Sequence, residues 1–128
     1  MLDSVKKFLQ KPFKKYACGE KAQQAQKTLQ NTFTASSVKS AADEKRLLGD
    51  VLETLNKTNS GRETLENLSD LGYKIQFQNL GKQFGGYCNY DDRLIVLNPT
   101  RSENFLAVAL VHEGRHGVQF ASEKENAP

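Results

Sequence analysis

Residues 105–120 read Phe-Leu-Ala-Val-Ala-Leu-Val-His-Glu-Gly-Arg-His-Gly-Val-Gln-Phe, and no other stretch limits the fold as strongly. Seven consecutive apolar residues, Phe105 to Val111, run directly into His112-Glu113-Gly114-Arg115-His116. A helix apolar on nearly every side belongs at the centre of a domain rather than at its rim. On such a helix, residues four apart share a face one turn apart, so the imidazoles of His112 and His116 can meet one Zn²⁺. Glu113 lies about 100° round from His112, beside the metal position, where it can act as a base on water. These are the only two histidines in the chain. The competing reading is that both are hydrogen-bonded to neighbours without any metal. The pairing at four residues with an adjacent Glu favours zinc.

The chain ahead of this stretch divides by texture. Residues 3–16 set Val5, Phe8, Leu9, Phe13 and Tyr16 at near-helical spacing. Pro12 predicts one short helix to about Gln10 and a second turn or helix after it, with Gly19 a candidate stop. Ala22, Ala25, Leu29 and Phe33 share one face of a further helix over 20–34, broken by Thr34–Ser37. Ser40 is a cap for the next helix, over 41–56, with Leu47, Leu48, Val51, Leu52 and Leu55 inward. Lys57–Gly61 reads as a turn. Arg62–Leu71 then forms a helix closed by Gly72. Tyr73–Phe77 alternates as a half-buried strand, and residues 87–97 form a β-hairpin turning at Asp91-Asp92. Thr100-x-x-Glu103 is a capping box for the motif helix. The expected fold class is therefore α+β. A helical segment (1–57) precedes a unit (58–128) made of helix, strand, hairpin and the motif helix.

Composition narrows the class further. At 128 residues the chain suits one domain, and 38% hydrophobic with 26% charged residues fits an ordinary globular protein. No apolar run reaches the roughly 20 residues of a membrane span, and no secretory signal is evident. The expected location is cytoplasmic, or outside the cell by a route without a recognisable signal. Cys18 and Cys88 are too few for a disulfide framework and read as free thiols. The net charge of +3 hides an asymmetry: residues 1–40 carry eight Lys against Asp3 and Glu20, while the rest is mildly acidic. A basic arm can steer toward anionic surfaces, but a solvated helix face is the simpler account, and no nucleic-acid partner is expected.

Ser60-Gly61-Arg62 before a Leu-rich helix, Gly86-Tyr87, Leu97-Asn98-Pro99 and Val111-His112-Glu113-x-Arg115-His116-x-x-Gln119 come in an order that resembles a family of bacterial metallopeptidase domains. These are compact, little-characterised zincins, and the resemblance covers roughly residues 58–120. It implies a zincin fold, Zn²⁺ at His112 and His116, Glu113 as catalytic base, and a peptide or protein substrate. The strand edge of the 87–97 hairpin is the candidate cradle for an extended peptide, with Tyr87 or Tyr90 a candidate oxyanion donor.

The third ligand is where the chain departs from known patterns. Gln119 and Ser122 stand where a metzincin needs Gly and His, and only twelve residues follow His116. Glu123 shares the histidine face. On a continuing helix, however, its seven-residue separation from His116 spans about 10 Å, far beyond a ligand distance of about 2 Å. The alternative function is accordingly a non-catalytic, zincin-derived binding or effector module with an incomplete metal site.

Overall fold

The computed structural model describes residues 11–125, with side chains from residue 20 to residue 124. The helix expected before Pro12 lies outside these, as do the side chains of the apolar stripe from Val5 to Tyr16. The described fold is α+β, four helices and one three-stranded sheet: α1 (Lys11–Asn31), α2 (Ala41–Leu55), α3 (Asn59–Asp70), β1 (Lys74–Phe77), β2 (Gly86–Asn89), β3 (Leu94–Leu97) and α4 (Glu103–Glu125). No helix among the described residues is long and apolar enough to cross a membrane.

Helix α1 runs straight through Gly19, where a stop was expected. An interior glycine costs only about 1 kcal/mol relative to alanine, too little to end a 21-residue helix whose far half is anchored by Ala22, Ala25 and Leu29 in the core. Pro12 falls in the first turn, where a missing N–H costs little. Ser40 caps α2 as expected, its hydroxyl accepting from the Asp43 N–H at 3.1 Å.

Helix α3 begins at Asn59, three residues ahead of the expected start at Arg62. Thr58 caps it by accepting the Gly61 N–H at 2.9 Å. Gly61 is needed there, because a Cβ would fall 2.0 Å from the Leu55 carbonyl oxygen. The Gly72 stop holds: it adopts φ +79° just past the helix end.

The sheet order is β1-β3-β2, with β3 antiparallel to β2 and parallel to β1. The parallel pair was not expected from the sequence. Its trace is the unbroken Leu94-Ile95-Val96-Leu97 run, which suits a central strand covered on both faces. Thr34, in the break after α1, adds a single parallel bridge to Gln76 on the outer side of β1. Among the described residues β2 pairs only with β3, so its outer edge is free.

One core joins all these layers. Leu29 of α1, Leu48 and Leu52 of α2, Leu65 and Leu68 of α3 and Ile75, Phe77, Ile95 and Leu97 of the sheet meet Leu106 and Leu110 of α4. The motif helix is thus central, but on one side only. Val108 is 70% exposed and Phe105 43% exposed, correcting the expectation of a helix enclosed nearly all round. The buried arc is Leu106, Ala107, Leu110, Gly114, Gly117 and Ala121; on the opposite arc Val108, His112, Arg115 and Gln119 are exposed, while the Phe105 ring lies against Gly85 and under the Arg101 guanidinium.

Candidate metal centre

The N-terminus of α4 is fixed by Ser102 rather than by the expected Thr100. The Ser102 hydroxyl accepts the Phe105 N–H at 3.2 Å, and its carbonyl accepts the Leu106 N–H. Thr100 is held away because both its N–H and its hydroxyl donate to Asn98 Oδ1. Glu103 sits in the first turn, favourable to the helix dipole, and accepts from the Thr54 hydroxyl at 2.8 Å. These contacts set the rotation of α4, and with it the direction in which each motif side chain points.

His112 is exposed and His116 half-buried, both on the uncovered arc. Their Nε2 atoms lie 3.1 Å apart, with the rings nearly perpendicular at 86°. His116 also stacks on Phe120, centroids 5.8 Å apart and planes 16° from parallel, which restricts its ring. With Zn–N bonds of about 2.05 Å, nitrogens 3.1 Å apart subtend about 98° at the metal, near the tetrahedral angle. The two imidazoles therefore fit a Zn²⁺ as two of its ligands.

Glu113 points between this arc and the sheet. Burial pushes its carboxyl above the usual carboxylate range, and the charges of His112 and His116 pull it back down. Among the described residues its carboxylate accepts no hydrogen bond, leaving it available to a water. Across from it stands Cys88 on β2, half-buried, its thiol 3.7 Å from the Tyr73 hydroxyl. Burial raises the Cys88 thiol above its ordinary value; the Tyr73 hydrogen bond lowers it and the Glu113 charge raises it again. Burial likewise raises the Tyr73 hydroxyl, which stays protonated beside the Gly117 carbonyl. In the sequence Cys88 reads as a free thiol and Tyr73 as a strand residue, and neither was expected at the site. The available signal was strand alternation: with Tyr87 facing out, Cys88 must face α4.

The third ligand does not emerge. α4 continues unbroken past Glu123 to Glu125, and Glu123 accepts from Gln119 Nε2 at 3.2 Å instead of turning back. Among the described residues no group of three or more His, Cys, Asp or Glu side chains is arranged to hold a metal. Of the two candidate oxyanion donors, Tyr90 is engaged: its hydroxyl accepts from Arg93 Nη2 at 3.1 Å and its ring lies under the same guanidinium. Tyr87 is 44% exposed on the free strand.

Two open cavities flank the pair. One of about 410 Å³ beside His112 is walled by Thr54, Thr58, Ser60, Val108, Val111 and Arg115. The other, about 530 Å³, lies past Phe120 between the hairpin turn at Tyr90-Asp91 and Glu123-Lys124. Comparison with protein-family models, with curated proteins and with solved structures finds no match for this chain.

Proposed function

We propose that this chain is a zinc-dependent metallopeptidase unit in which His112 and His116 hold the metal and Glu113 is the general base. The observation that carries the reading is the 3.1 Å separation of the two Nε2 atoms, with an adjacent half-buried carboxylate that makes no other hydrogen bond. Zn²⁺ at this pair would act as a Lewis acid and bring the pKa of a water toward about 7. Glu113 takes the proton from the attacking water and delivers it to the leaving amine nitrogen, so that one carboxyl serves as base and then acid. Its raised proton affinity suits the second half of that task. The free edge of β2 offers main-chain donors and acceptors to an extended peptide, and the cavities at either end of the pair offer room for its side chains.

One observation favours a second reading, a zincin-derived binding module without catalysis: α4 runs straight through Glu123 and brings no third ligand. The two readings part in a single experiment. Zinc-loaded chain is incubated with a peptide library, and new termini are counted by mass spectrometry for wild type and Glu113→Gln. A loss of about 10²- to 10⁴-fold in the variant, with zinc content unchanged, is expected for a positioned general base. Equal cleavage by both proteins, or none by either while zinc is retained, sinks the peptidase reading.

A further inference from the structure

The uncovered arc of α4 has features that a monomer with a two-imidazole site leaves unexplained. His112 is exposed, and on the same stripe Val108 is 70% exposed and Phe105, though packed against Gly85 and under the Arg101 guanidinium, is still 43% exposed. Exposed apolar groups beside an unfinished coordination site form a surface suited to being covered. A structural zinc site is closed by four ligands, and this chain supplies two among its described residues. A two-fold axis presents the same surface twice, so it converts two imidazoles into four without calling on any other residue.

We propose that two copies of this chain share one Zn²⁺ through His112 and His116 of each, closing a four-imidazole site between their α4 helices. The proposal rests on the metal reading of the pair given above, and not on hydrolysis. In a tetrahedron the planes of the two N–Zn–N pairs are perpendicular. Each pair lies one turn apart along its own helix, so the two α4 helices cross at roughly a right angle. A crossing of that kind confines contact to the central turns, where Val108 adjoins the histidines. Glu113 and Arg115 flank the pair on opposite sides and stay at the margin. Four imidazoles leave no open position, so the shared-zinc dimer is a closed form of the site. Zinc in excess, one ion per chain, opens it to monomers.

Sedimentation velocity during a zinc titration of the full chain tests this, with bound metal counted in parallel. The expected course is biphasic: monomer in EDTA, a two-fold rise in mass at half an ion per chain, and a return toward monomer at several-fold excess. His112→Ala and His116→Ala, checked for unchanged circular dichroism, should each abolish the rise. Both are on the open arc. A monomer that binds one zinc per chain at every ratio overturns the shared site and leaves the hydrolytic reading standing. A dimer that persists in EDTA overturns it as well, since the face then pairs without metal. Wild type that retains no zinc overturns both readings.

Discussion

Gly114 faces Thr64 so closely that a Cβ at residue 114 would stand 2.9 Å from the Thr64 methyl carbon. The glycine inside the metal motif is therefore the point at which α3 and α4 approach each other, and its cost in helix propensity has a packing return. Thr64 cannot easily move aside: it is buried, β-branched, and its hydroxyl donates to the Ser60 carbonyl at 2.9 Å. Gly114→Ala gains about 1 kcal/mol of helix propensity but overpacks this contact by about 2 kcal/mol. A net loss of about 1 kcal/mol is expected in urea denaturation. A gain in stability would mean that the two helices are loosely packed at this point.

Asn98 is the hub of the loop that leads into α4. Its Nδ2 donates to the Gly81 and Phe84 carbonyls at 2.7 and 3.0 Å, and its Oδ1 accepts from both the N–H and the hydroxyl of Thr100. It is fully buried. Asn98→Ala leaves two carbonyls and two donors without partners, at a cost of about 3 kcal/mol. Chemical denaturation should show that loss. Amide exchange over residues 81–86 should accelerate with it, because the loop loses the two anchors that Asn98 supplies and keeps the Arg101 contact to the Lys82 carbonyl and the Asn79 contact to the Gly81 N–H.

Glu44 plays the same part for the segment between α1 and α2. Its carboxylate is fully buried and accepts from the Ser36 N–H at 2.6 Å, the Ser36 hydroxyl at 2.5 Å and the Lys39 N–H at 3.0 Å. A charged residue in the first turn of an amphipathic helix ordinarily reads as a dipole partner facing water. Periodicity could not reveal that it folds back onto its own N-terminal approach. Glu44→Ala should cost about 3 kcal/mol, since it strands three donors. Glu44→Gln should recover only part of that, because an amide carbonyl oxygen cannot receive all three. Equal stability of both variants and wild type would mean that solvent satisfies those donors.

Local patterns carried much of this fold, and long-range pairing carried the remainder. Leu48, Val51, Leu52, Leu65 and Leu68 turn inward where their 3.6-residue spacing puts them, and Ile75 and Phe77 follow the two-residue alternation of β1. Helix boundaries were less legible. Thr58 starts a helix inside a stretch that reads as a turn, and Asn98 drew Thr100 away from the capping box, and each outcome turns on a hydrogen bond between specific atoms. The parallel β1–β3 pair joins residues twenty apart, beyond any local signal. At the site, the convergence of His112 and His116 follows from their spacing alone. The neighbours of Glu113 on β2 depend on how the sheet docks, which sequence periodicity does not encode.

Cys88 provides a pH test of that docking. Its thiol is raised above the ordinary value of 9.0, chiefly by burial. A raised value means that the folded state holds the proton more tightly than the unfolded chain. Its contribution to stability is therefore complete below the unfolded pKa and is lost as pH rises through the folded one. In a Cys18→Ser background, where Cys88 is the sole thiol, alkylation by iodoacetamide at pH 9 should be slower in native buffer than in urea. Stability should decline above pH 9 more steeply than in a Cys88→Ala variant. Alkylation at equal rates in both solvents would mean that β2 stands away from α4.

Metal addition offers the most direct separation of the roles within the motif. A ligand that binds only the folded state stabilises it by about 2.7 kcal/mol at a concentration one hundred times its Kd. Zinc should accordingly raise the Tm of wild type and of Glu113→Gln alike, because Glu113 lies beside the pair and is not one of its nitrogens. His112→Ala and His116→Ala should lose most of that rise, since one imidazole without its partner forfeits the chelate formed by two Nε2 atoms 3.1 Å apart. Zinc ligation requires the unprotonated imidazole, so the rise should shrink as the solution is acidified. Differential scanning calorimetry with zinc and with EDTA, on the four proteins at two pH values, reads all of this at once. A zinc-dependent Tm rise that survives both histidine substitutions would place the metal elsewhere on the chain.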